Sequence, residues 1–262
     1  MGGSVTVHVL SGGEQGPMTF VLIHGGGSTA RFWDRLIPLL DGPALAVDLP
    51  GRAGKKADLA TLSVDEEVAS VIEDLQAADL EPPVTIVAHS SGGLVVPGVV
   101  AGYDGVISSV VLNAALVPVE GGCGIDCMKE RHREGLVAAR AAAEQAGTAI
   151  TLPGPPADPE SFRKAYGGDP LDDEALAFVV DPARCVPDTV HHYFQPVHWS
   201  AVAGTPIVYV LNRRDRPIPP ETQEEMVLRL PDPTTVIRVD SGHLLPVTAP
   251  HLFAETLNTL PI

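Results

Sequence analysis

The chain has 262 residues, 45% hydrophobic and 19% charged, enough to bury one large core, which excludes a coiled coil, a disulfide-stapled peptide or a disordered tail. With 17 Lys and Arg against 33 Asp and Glu the formal charge is -16, which repels phosphate backbones and anionic lipid and argues against nucleic-acid or membrane partners. Three cysteines make no disulfide framework in a chain of this length, and the odd count leaves a free thiol, which fits a reducing cytoplasm.

In chain order, Val5, Val7 and Val9 alternate as a strand, without the basic and apolar regions of a secretory signal, so a cytoplasmic location is expected. Gly2 and Thr6 fit a loose acylation pattern, but a strand beginning at once leaves no free arm. Apolar runs at 18–24, 43–48, 84–88 and 106–113 predict strands. Between them Phe32, Trp33, Leu36, Ile37 and Leu40 recur at helical spacing. So do Val64, Val68, Val71, Ile72 and Leu75, behind a Ser63/Glu66 capping box. Residues 84–103 carry no charge and are long enough to span a bilayer, but His89, Ser90, Ser91, Gly92 and Gly93 interrupt them; a buried strand, a turn and a buried helix are expected instead. From Leu116 to Thr205 the strand rhythm stops. A Gly-rich stretch (Gly121, Gly122, Gly124), an Ala-rich helix at 126–145 and the breaker PGPPADP from Pro153 suggest a helical cap inserted at about 116–205 of a single domain. Strands at 206–211 and 234–239 then resume, with helices near 221–230 and 250–260. Strands alternating with helices predict an α/β fold with a mostly parallel sheet.

The most informative segment is VTIVAHSSGGLVV. A β-branched run ends in Ala88-His89-Ser90-Ser91-Gly92, placing Ser90 at a sharp turn into a helix, with small residues two positions on either side. The turn brings those backbones nearly together and pushes the serine hydroxyl above the sheet. Ala88 stands where the G-x-S-x-G pattern has Gly, and is still small. A serine of ordinary pKa needs a histidine base and an acid to orient it. Asp215 follows the strand at 206–211 and His243 follows the strand at 234–239, so Ser90, Asp215 and His243 run in nucleophile, acid, base order. Asp240 is a rival acid, but three positions before His243 it would have difficulty reaching round to Nδ1. For an oxyanion, the N-H of Ser91 needs a second donor from the loop His24-Gly25-Gly26-Gly27; Gly26 is favoured and Gly25 is the alternative.

The segments VLIHGGGSTARFW, AVDLPGR, VAHSSGG, VYVLNRRDRPIPPETQEEM and VDSGHLLPVTAP resemble the α/β-hydrolase superfamily over nearly the whole chain. The HGGG strand, the RDRPIPPETQ acid loop and Cys185-Val186-Pro187 resemble, more narrowly, the small serine esterases grouped with plant methylesterases and hydroxynitrile lyases. That resemblance implies a cofactor-free serine hydrolase acting on a small to medium, largely apolar ester or thioester. The alternative is a non-hydrolytic relative: a lyase or cyclase, or a ligand-binding receptor. In the lyases, as the resemblance implies, a lysine follows the catalytic histidine and a threonine the first-loop histidine; here those positions are Leu244 and Gly25. The stretch Leu49 to Lys56 lacks the spacing of a phosphate loop. Cys123, Cys127 and His132 do not complete a zinc site, so no metal is expected. His191, His192 and His198, with Tyr193, Phe194 and Trp199, are read first as packing of the cap on the core and second as a pocket wall. Oligomeric state is left open.

Overall fold

The computed structural model describes residues 18–148, 151–152, 158–169 and 171–260. The expected strand at Val5 to Val9, the Gly2 pattern and most of the breaker from Pro153 lie outside them. Six strands, β1 (Thr19–Ile23), β2 (Ala44–Val47), β3 (Val84–His89), β4 (Ile107–Asn113), β7 (Ile207–Asn212) and β8 (Thr234–Val239), form one parallel sheet in the order β2-β1-β3-β4-β7-β8. A two-stranded antiparallel ribbon, β5 (Thr151–Leu152) with β6 (Asp188–Thr189), lies in the segment between β4 and β7. Its strands are too short to leave a periodic signal.

The central strands read as unbroken apolar runs because both of their faces are covered. Val21 and Ile23 of β1, Ile86 and Ala88 of β3, and Val110 and Leu112 of β4 face one core. Phe20, Leu22, Val87 and Val111 alternate onto the other. The first core is closed by α1 (Val64–Ala77), α2 (Val96–Gly102) and α6 (Pro220–Val227), through Val71, Leu75, Val99 and Met226. The second is closed by Trp33 and Leu36, α7 (Leu245–Thr248) and α8 (Pro250–Asn258). The capping box of α1 is present: Ser63 Oγ accepts from the Glu66 N-H at 3.1 Å, and the Glu66 carboxylate accepts from the Ser63 N-H at 2.8 Å.

Two expectations are corrected. Residues 32–40 form no α-helix but two 3-10 turns, Ala30–Trp33 and Ile37–Leu39. Pro38 has no N-H to bond back to Asp34, so a continuous helix is interrupted even though Trp33 and Leu36 are buried at helical spacing. The Ala-rich helix α3 spans Glu130–Ala146 and does not begin at Asp126. Asp126 belongs to a preceding 3-10 turn, where its carboxylate accepts from the Cys123 N-H at 3.0 Å. Helices α4 (Pro159–Tyr166) and α5 (Asp173–Val180) complete the stretch between β4 and β7. The uncharged stretch 84–103 is β3, a 3-10 turn and α2; among the described residues no helix is long and apolar enough to cross a membrane.

Candidate active site

After β1 the chain moves to β2 on one side and then to β3 on the other, so the carboxyl ends of β1 and β3 flank the switch point where an open α/β sheet forms its crevice. Ser90 immediately follows β3 with φ +52°, a left-handed conformation rare for a residue with a Cβ. The strain is held from several sides. The Ser90 carbonyl accepts from the Leu116 N-H at 2.9 Å. A Cβ on Gly92 would lie 2.5 Å from the His24 carbonyl oxygen, and one on Gly93 would lie 2.7 Å from that of Leu116. Only glycine fits at these two positions, which is why the elbow is so rich in small residues.

Asp215 and His243 come from the loops after β7 and β8. His243 Nδ1 lies 2.7 Å from Asp215 Oδ2, and His243 Nε2 lies 3.1 Å from Ser90 Oγ. Asp215 Oδ1 accepts from the Ile218 N-H at 2.8 Å, so the carboxylate is fixed at both oxygens. With Nδ1-H donated to Asp215, Nε2 is left as the acceptor facing the serine hydroxyl. Asp240 is three-quarters exposed and pairs with Arg214 at 3.3 Å. The structure therefore brings Ser90, Asp215 and His243 together and leaves Asp240 outside.

A buried polar seam along the strand ends supports this group. His89 Nδ1 donates to the Asn113 carbonyl at 3.1 Å, Asn113 Nδ2 to Asn212 Oδ1 at 3.1 Å, and Asn212 Nδ2 to the Gly242 carbonyl at 2.9 Å. The seam reaches the residue before His243. The His89 ring stacks on Phe32 at 5.0 Å and lies 4.6 Å from the His243 ring. Burial first, and the neighbouring His243 second, hold His89 well below the usual histidine pKa, so it sits beside His243 as a neutral ring.

The glycine loop is anchored with equal care. His24 Nδ1 donates to the Gly25 carbonyl at 2.8 Å and Nε2 accepts from the Leu49 N-H at 3.3 Å. Burial, with Arg52 nearby, lowers its pKa to about 3. A Cβ on Gly25 would lie 2.7 Å from Ser90 Cβ, and one on Gly26 would lie 2.6 Å from Tyr193 Oη and 3.2 Å from Ser91 Oγ. Gly26 and Ser91 thus lie on the same side of the crevice. Gly27 N-H donates to Asp188 Oδ2 at 3.0 Å.

Asp188, Arg52 and Glu67 are the residues that sequence reasoning missed. Arg52 is wholly buried; it pairs with Asp188, donates to the Pro50 carbonyl at 3.0 Å and lies 3.6 Å from Glu67. Glu67 in turn holds His192 Nδ1 at 3.0 Å. Burial alone would lower the His192 pKa, but the Glu67 carboxylate outweighs it and the net shift is upward. The loop after Asp48 therefore contributes a buried ionic centre beneath the glycine loop. Trp199 and Tyr193 both belong to the core, as the packing reading expects, and Tyr193 also lines the crevice.

Two cavities open at Ser90. One, of about 310 Å³, is lined by the glycine loop, His243 and the apolar side chains Phe32, Phe162, Phe178 and Leu244. The other, of about 660 Å³, runs from Ser90 past Leu116 and Met128 to α3 and α4. Tyr166, Tyr193 and Pro217 line both. Among the described residues no group of three or more His, Cys, Asp or Glu could hold a metal ion. Cys123 and Cys127 are free thiols.

A family model described as the alpha/beta hydrolase family matches residues 20–256. The chain belongs to that family and is an alpha/beta hydrolase. A protein phosphatase methylesterase 1 from Mus musculus is 33% identical over 101 residues, covering 36% of this chain and 26% of the relative; the match spans about a quarter of that relative's length. In fold, an extracellular alpha/beta-hydrolase from a Paenibacillus species superposes with TM-score 0.74 at 21% identity, over 92% of this chain and 98% of the other. Methylesterase MES16 from Arabidopsis superposes with TM-score 0.66 at 21% identity, over 92% and 97%.

Proposed function

We propose that the protein is a serine hydrolase that cleaves a small to medium, largely apolar carboxylic ester or thioester through an acyl-enzyme on Ser90. The observation that carries this proposal is the unbroken chain Ser90 Oγ to His243 Nε2 at 3.1 Å and His243 Nδ1 to Asp215 at 2.7 Å, on a serine held at φ +52°. Ser90 Oγ attacks the carbonyl carbon as His243 Nε2 takes its proton, and Asp215 stabilises the imidazolium. The carbonyl oxygen, now an anion, is met by the N-H groups of Gly26 and Ser91. His243 returns the proton to the departing alcohol oxygen as its bond to carbon breaks. Water then repeats the sequence on the acyl-Ser90 ester and releases the acid.

The segment between β4 and β7 acts, in this proposal, as a cap on a single hydrolase domain, since Phe162, Tyr166, Phe178, Asp188 and Tyr193 all reach the crevice from it. The methylesterases among the relatives support an ester as the bond cleaved. Ser90→Ala should abolish turnover of p-nitrophenyl esters while leaving the melting temperature near that of the wild type. A variant that kept near-normal turnover would remove Ser90 as the nucleophile. Tight binding of esters by the wild type with at most one turnover would favour a receptor.

A further inference from the structure

The larger cavity gathers positive side chains in a chain that is acidic overall. Among the described residues, six cationic side chains have no carboxylate oxygen within 4.0 Å: Lys56, Lys129, Arg133, Lys164, Arg213 and Arg216. Ten other Lys and Arg side chains are each paired with a carboxylate. In a chain with 33 acidic residues against 17 basic ones, unpaired cations are a minority, yet Lys129, Lys164 and Arg216 all line the cavity that begins at Ser90. They come from three different stretches: the start of α3, α4, and the loop after Asp215. His132 lies on the same wall, and no Asp or Glu lines the cavity among the described residues. Lys129 Nζ donates to the Arg216 carbonyl at 2.6 Å and Arg216 to that of Lys164 at 3.5 Å, so backbone oxygens hold the cluster together without neutralising it. In the smaller cavity, by contrast, Arg184 is paired with Asp34 at 2.7 Å and Asp181 at 2.6 Å and lies 4.0 Å over the Phe178 ring.

We infer that the preferred substrate is an ester whose acyl chain ends in an anionic group, a carboxylate at its simplest, held by Lys129, Lys164 and Arg216. This inference rests on the hydrolase proposal above and refines its substrate. The assignment to the acyl side follows from proton delivery. His243 must hand a proton to the leaving oxygen, and His243 lines the smaller cavity only. The alcohol therefore occupies the aromatic cavity and the acyl chain extends the other way, past Leu116 and Met128 toward the cations. An apolar acyl stem with a charged end matches that lining.

The test compares mono-p-nitrophenyl adipate with p-nitrophenyl hexanoate, whose acyl chains are equal in length and differ in the terminal carboxylate, each corrected for spontaneous hydrolysis. A third probe, the butyrate ester of 4-hydroxybenzoate against phenyl butyrate, moves the charge to the alcohol. At low ionic strength kcat/KM should favour adipate over hexanoate by about tenfold, and the ratio should shrink as salt is added. Lys164→Met and Arg216→Met should each lower the ratio about threefold, the scale of an exposed ion pair. Lys56→Met removes the same charge at an exposed site outside the cavity and should leave the ratio unchanged. Equal or better use of hexanoate, a ratio unaffected by Lys164→Met and Arg216→Met, or a preference for the anionic alcohol would each overturn the inference while Ser90-dependent turnover of the neutral ester kept the hydrolase proposal intact. Turnover of none of the probes would remove both.

Discussion

Replacing Asp188 by Asn keeps the shape of the side chain and deletes one charge from a centre that water does not reach. The Arg52 side chain is wholly buried and that of Asp188 is 3% exposed. The two carboxylates, Asp188 and Glu67, face one guanidinium, and His192 on Glu67 has its pKa raised toward the charged form. The amide in Asp188→Asn would leave Arg52 with Glu67, at 3.6 Å, as its one carboxylate beside the Pro50 carbonyl, and two backbone N-H groups, Gly27 and Thr189, competing for a single amide oxygen. Removing one partner of a buried pair costs about 3 to 5 kcal/mol, a large share of a typical total stability of about 5 to 15 kcal/mol. For a domain of this size the melting temperature should fall by about 10 °C. Urea unfolding of Asp188→Asn, Arg52→Met and the double variant gives the coupling directly: the double should be less destabilised than the sum of the singles by about 2 kcal/mol or more. Because Gly27 follows the proposed oxyanion donor Gly26, kcat should fall in Asp188→Asn with little change in KM. A melting temperature within about 2 °C of wild type, with additive effects in the cycle, would refute the assignment of this centre as the anchor of the glycine loop.

Asp215→Asn should lower kcat by about a thousandfold or more through loss of the oriented imidazole, whereas Asp240→Asn, which loses only an exposed pair with Arg214, should change steady-state rates little; the reverse ranking would move the acid to Asp240. His24 is buried with its pKa lowered to about 3 from 6.5, so the unfolded chain binds that proton first and stability is lost as pH falls below 6.5. Between pH 7 and pH 5 this amounts to about 2 kcal/mol from His24, His89 acting in the same direction; urea midpoints that stayed flat over this window would contradict the buried neutral histidines. Gly25→Ala should cost most of the activity, because its Cβ would lie 2.7 Å from that of Ser90; wild-type rates in that variant would show that the loop can yield. No cyanide release from mandelonitrile above the spontaneous rate is expected, since Leu244 and Gly25 offer neither the charge nor the hydroxyl that such a lyase uses; Ser90-dependent release without esterase activity would favour the lyase.

The strand ends were legible in the sequence because unbroken apolar runs, forced by a sheet buried on both faces, point to where Ser90, Asp215 and His243 must lie. Asp215 could be ranked above Asp240 from reach along the chain alone, and the structure separates the two by burial. The helix expected at 32–40 failed on Pro38, whose missing N-H outweighed correct spacing. The buried ionic roles of Arg52, Glu67 and Asp188 were invisible for a different reason. Each alone resembles a solvated charge, and only the fold brings the loop after β2, α1 and the β6 region to one buried point. The cavities were equally hidden, since their walls are drawn from stretches far apart in sequence.

The central claim is an acyl-enzyme on Ser90, and its most direct measurement is the mass of the protein quenched with acid during turnover of p-nitrophenyl acetate. An acetyl increment should appear on the wild-type chain, map to the peptide containing Ser90, vanish once substrate is exhausted and be missing from Ser90→Ala. Sustained turnover with no increment at Ser90, or an acetylated intermediate carried by another residue, would contradict the account.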